Sequence, residues 1–76
     1  MTVVQLNQPF VIDIIVADRG TLIGFAPASR LARTWFAENV SSEPWQWAGP
    51  TLWVDHRLAQ QLRDGISDEG LGVLDI

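Results

Sequence analysis

From residue 10 onward the chain alternates dense apolar runs with turn signals and two stretches of helical period. Residues 10–16 are rich in β-branched and aromatic side chains, which predicts a first strand. Phe10, Ile12, Ile14 and Val16 fall on one face, and Val11, Asp13 and Ile15 on the other. Both faces are largely apolar, so the strand is expected to be central or partly covered on each side. Asp13 is the odd member, expected near a sheet edge or against an arginine. Residues 1–9 carry a small apolar patch at Val3, Val4 and Leu6, and either extend this strand or form a loose terminus. Asp18-Arg19-Gly20 is a hairpin turn signal, and residues 21–25 return as a second strand. Gly24 inside that strand marks a bulge, or a place where a bulky ring packs on bare backbone.

Two amphipathic helices follow. Residues 26–29 open the first, with Pro27 suited to an initial turn where its missing amide has no partner. Leu31, Ala32, Trp35, Phe36 and Val40 form its apolar stripe, and Asn39 sits at its end. The second helix is announced by Asp55, placed to cap the free amides after an apolar strand at residues 52–54. Leu58, Ala59, Leu62 and Ile66 make one stripe. Both Gly65 and Gly70 could end this helix. A Schellman ending needs an apolar residue after the glycine to meet one in the last turn, and Leu71 with Ile66 satisfies that for Gly70. Gly65 then lies inside the helix at a cost of about 1 kcal/mol relative to alanine, which suggests another backbone passing close by. Fraying after Asp64 is the alternative. Residues 71–76 supply the last strand.

The elements add up to one α+β domain over residues 1–76. Its expected order is ββαβαβ, a single sheet of three or four strands with two helices packed on one face. A strand–helix–strand unit at the C-terminal end makes the sheet mixed if its two strands are parallel. The one long connection is residues 39–50, and loops of that length in small domains are often functional or folded over the core.

Composition narrows the function classes. At 76 residues the chain buries only about 60% of its unfolded surface, and 47% apolar residues are enough for a core. It has no cysteine, which leaves neither a disulfide framework nor a thiolate zinc site and fits a reducing cytoplasm. No apolar run approaches the length of a membrane span, and no basic residue precedes Arg19 to start a secretion signal. The expectation is a cytoplasmic protein with no membrane partner. Net charge is −4 without a single lysine, which disfavours direct nucleic-acid binding. The reverse, an acidic protein that imitates nucleic acid, is open, although the nine carboxylates form no dense run.

Reactive groups are sparse. His56 is the only histidine, and a small hydrolase would use it as a base oriented by Asp55. Adjacent residues at a helix start point in different directions, and Asp55 is better used as a cap. No second histidine completes a metal site, and Asp64, Asp68 and Glu69 lack the ordered spacing of a calcium loop. The glycines never gather into a phosphate-cradling motif. No catalytic, cofactor-binding or metal-ligating residue is assigned.

Four tryptophans with no tyrosine are the compositional anomaly. Trp35 belongs to the core stripe. Trp53 alternates with Leu52 and Val54 and so faces the opposite side of the sheet. Trp45 and Trp47 flank Gln46 in the long connection and cannot both be sunk easily. An exposed ring there is a rigid anchor of the kind that dominates protein interfaces. Trp45, Gln46, Trp47 and Trp53 are therefore the expected partner-binding residues, the partner being another protein or a second copy in a homodimer.

The hairpin followed by Pro27, Trp35 and Glu38-Asn39-Val40, then Asp55-His56-Arg57 and Gly70-Leu71, resembles a group of small uncharacterised proteins of bacterial genomes and prophages. The likeness covers most of the chain from Phe10 onward. It implies no activity and no functional residues. It does imply a setting, that of accessory or anti-defence proteins that act by binding.

Overall fold

A computed structural model describes residues 11–76 of the chain. Its elements in order are β1 (Ile14–Asp18), β2 (Ile23–Pro27), α1 (Arg30–Asn39), β3 (Trp47–Ala48), β4 (Thr51–Val54), α2 (His56–Glu69) and β5 (Val73–Asp75). The strands form one five-stranded sheet in the order β3-β4-β2-β1-β5. All pairings are antiparallel except β1 with β5, so the sheet is mixed. β4 and β5 run in the same direction but are not neighbours, because β2 and β1 stand between them. The fold is α+β, as the pattern predicts. The addition to the expected strands is β3, a two-residue edge piece too short to leave a periodic signal.

The helix-facing side of the sheet carries Ile14, Val16, Ile23, Phe25, Leu52 and Val54, all buried. Ala32 and Phe36 of α1 and Ala59, Leu62 and Ile66 of α2 close the same cluster. The alternate positions Ile15, Ala17, Ala26, Thr51 and Trp53 lie on the other side of the sheet and are half-buried. Of the expected α1 stripe, Leu31 is exposed, so the helix buries a narrower face than its apolar pattern suggests.

β1 begins four residues later than the expected start at residue 10, and Ile12 is exposed rather than sharing the buried face. Phe10 and residues 1–9 lie outside the described residues. The reason for the late start is Gly72, whose carbonyl accepts hydrogen bonds from the amides of both Asp13 and Ile14, at 2.9 and 3.0 Å. Asp13 is correspondingly buried, at 7% exposure, and neither lies at a free edge nor meets an arginine. Its carboxylate accepts from the Gly72 amide at 2.9 Å, and the Ser29 side chain helps to hold it in the charged form. Its carbonyl accepts from the amides of Ala28 and Ser29. One residue thus ties the start of β1 to the start of α1, through its carbonyl, and to the entry of β5, through its carboxylate.

The helix ends follow local chemistry. Ser29 caps α1, accepting from the Ala32 amide at 3.0 Å. Pro27 is the last residue of β2, paired with Ile14, and not a first-turn proline. Asp55 caps α2 by accepting from the Leu58 amide at 2.9 Å. Gly70 takes the left-handed conformation at φ 78°, and the Leu71 amide reaches back to the Ile66 carbonyl. Leu71 and Ile66 are both buried, the apolar closure that a Schellman ending requires. Gly65 stays helical. What passes close to it is an indole rather than a backbone, since a Cβ there would lie 3.1 Å from the Trp35 ring.

Candidate interaction surface

Between α1 and β4 the chain makes a compact corner. Val40 ends the helix, and a single 3-10 turn spans Pro44–Gln46. The two-residue strand β3 then pairs back on β4 through Gly49 and Pro50. Gly49 has φ 59°, the positive value that a two-residue hairpin places at its first turn position.

Three hydrogen bonds hold the corner. The Gln46 side-chain oxygen accepts from the Glu43 amide at 2.8 Å, while the Gln46 amide donates to the Glu43 carbonyl at 3.0 Å. The Trp47 indole N–H donates to Ser42 Oγ at 2.9 Å. Together with Pro44 these leave the turn little freedom, and the turn presents Trp45 outward at 80% exposure. Trp47 is half-buried and packs on the core, directly across from buried Leu52.

Of the residues expected at a partner surface, Trp45, Gln46 and Trp47 come together here. Trp53 does not join them. It lies on the other side of the sheet, where its ring covers Gly24. Strand alternation separates Trp47 from Trp53, since Trp47 is registered with Leu52 and Leu52 faces the helices.

Beside the corner is a cavity of about 570 Å³ that the sequence did not reveal. Its apolar wall is Pro27, Phe36, Val40, Trp47 and Pro50, and Arg33 stands at its polar side. These residues come from β2, α1 and the hairpin, so no local window of sequence collects them. The volume lies within the range of about 300–1,000 Å³ common for binding sites. Arg33 Nη1 donates to the Ala28 carbonyl at 2.7 Å. Its other donors meet no carboxylate, because the ion pair found among the described residues is Arg63 with Asp75.

The groups considered for chemistry are placed apart from this corner. His56 Nε2 is hydrogen-bonded to the Gly20 carbonyl in the β1–β2 turn, and the Asp55 carboxylate is engaged in capping rather than on the imidazole. Among the described residues no group of three His, Asp or Glu side chains is arranged to hold a metal ion. The carboxylates are divided among roles: Asp13 is a buried tie, Asp55 a cap and Asp75 half of an ion pair. No helix among the described residues is long and apolar enough to cross a membrane. No protein-family model, curated protein or solved structure matches the chain.

Proposed function

We propose that this chain is a non-enzymatic protein-binding module whose contact surface is the corner bearing Trp45, Gln46 and Trp47. The observation that carries the reading is Trp45, a large ring held 80% exposed on a turn closed by hydrogen bonds and a proline. A ring buried in a partner removes a large apolar area from water, and a preordered turn spares most of the entropy that fixing a loop would cost. Tryptophan is for these reasons enriched among residues whose truncation weakens an interface most. The setting implied by the resemblance to small prophage-associated proteins fits the same reading, with a host protein in the cytoplasm as the target and inhibition by occupancy as the mode of action.

The test compares wild type, Trp45→Ala and Leu31→Ala chains as bait in a bacterial lysate. Leu31 is also apolar and 62% exposed, but it lies on α1, so it controls for general stickiness. Proteins retained by wild type and Leu31→Ala but lost by Trp45→Ala support the reading. Equal capture by all three chains would refute it.

A further inference from the structure

We infer that the corner pairs with a second copy of itself, each chain's Trp45 entering the other's cavity. This rests on the reading of the corner as a binding surface and names its occupant. The ring and the cavity belong to one patch. The connection from Val40 to Pro50 lines the cavity with Val40, Trp47 and Pro50, and carries Trp45 on its outward turn. Trp45 does not line its own chain's cavity. Among the described residues the ring belongs to neither the core cluster nor the cavity lining, and the cavity lies beside it. A surface that carries both a projection and its receptacle is self-complementary, which is what a two-fold interface requires. The cavity wall is aromatic and prolyl, the lining that suits an indole, and about 570 Å³ leaves room for one.

Charge points to the same occupant. Glu43 precedes Trp45 by two residues and is exposed, so it travels with the ring. Arg33 stands beside the cavity with donors that meet no carboxylate among the described residues. Seating Trp45 of one copy brings its Glu43 toward the other copy's Arg33, and the two-fold axis makes this contact twice. Such rim pairs fix orientation more than they add affinity, as a self-recognising patch on a chain of net charge −4 needs.

Sedimentation velocity over a concentration series tests the pairing, with circular dichroism to verify that each variant is folded. Wild type is expected to show a reversible monomer–dimer equilibrium. Trp45→Ala should weaken association about thirtyfold, the loss typical of an anchoring tryptophan. Ala37→Arg, which fills the cavity from its exposed wall while leaving the projecting ring intact, should weaken it comparably. Arg33→Glu and Glu43→Arg should each weaken the dimer, and the double variant should recover it. Wild type sedimenting as a monomer up to about 1 mM overturns self-pairing. In that event Trp45-dependent capture of another protein leaves the binding-module reading standing, and its absence removes both. A wild-type dimer indifferent to Trp45→Ala and Ala37→Arg also overturns the inference, as does failure of the double charge variant to recover association.

Discussion

The indole of Trp53 lies directly over the backbone of Gly24, its cross-strand partner in the β2–β4 pair. A Cβ at position 24 would sit 2.8 Å from the far edge of that ring and 2.8 Å from the Thr51 methyl. The glycine is therefore the floor on which a half-buried tryptophan rests. Gly24→Ala is expected to push the ring off the sheet and cost about 1–3 kcal/mol, the usual range for overpacking. Urea denaturation measures it. In a Trp53→Ala background the same substitution should cost less, because the ring is gone and the Thr51 methyl alone remains to be displaced, and the difference in a double-mutant cycle reports the ring contact. Additive costs would show that Gly24 matters for some other reason.

Gly65 poses the opposite balance. Inside α2 it forfeits about 1 kcal/mol of helix propensity relative to alanine. A Cβ there would meet the Trp35 ring at 3.1 Å, a crowding of only a few tenths of an ångström. Trp35 is half-buried and borders a cavity between the two helices, so its ring has room to give. Propensity should win, and Gly65→Ala is expected to stabilise the fold by up to about 1 kcal/mol. A fall in the thermal midpoint would mean that Trp35 is held more firmly than its exposure implies.

What the sequence made legible was local. The limits of α2 followed from Asp55 and from Gly70 with its Leu71–Ile66 closure, all set by chemistry within a few residues. The position of Trp53 opposite Leu52 and Val54 followed from strand alternation alone. Features set by distant partners were not legible. Asp13 meets residues 29 and 72, so its burial could not be read from its neighbours. Pro27 suits a helix start and a strand end equally, and it is the pairing with Ile14 that decides. The sequence required that Trp45 and Trp47 not both be sunk easily. Which of them turned inward depended on the Ser42 hydroxyl and the pairing across to Leu52. The cavity was hidden for the same reason, since its wall comes from three separate elements.

Gly72 should be the least replaceable glycine of the chain. A Cβ there would stand 1.9 Å from the Val11 carbonyl oxygen, a backbone atom that no rotamer change can move. Its φ is not in the left-handed region, so the demand is for space and not for conformation. Gly72→Ala must separate the entry of β5 from the segment before β1 and break the hydrogen bonds that Gly72 makes with Asp13 and Ile14. The expected loss exceeds that of Gly24→Ala, at about 3 kcal/mol or more, which is a large share of the stability of a domain this small. Amide exchange should show β5 losing protection first. Wild-type stability in Gly72→Ala would contradict the close approach.

Asp13 makes stability depend on acid. The Ser29 hydroxyl first, and then the Gly72 amide, donate to its carboxylate and lower its pKa from the ordinary value, while burial opposes them and is outweighed. A carboxyl whose folded pKa is depressed gives stability that is fully present above the unfolded value, about 3.9, and is lost as pH falls through the folded one. Wild type should therefore lose stability progressively as pH is lowered below about 4. Protonation weakens the acceptor on which the start of β1, the cap of α1 and the entry of β5 converge. Asp13→Asn keeps the shape but replaces a charged acceptor with a neutral one, and should cost about 1–3 kcal/mol at neutral pH. Its denaturation midpoint should then vary less with pH than that of wild type across the acid range. The other eight carboxylates are common to both chains, so the difference between the two curves isolates Asp13. Parallel curves would mean that the carboxylate is not held in its charged form by these donors, and that the tie is one of shape alone.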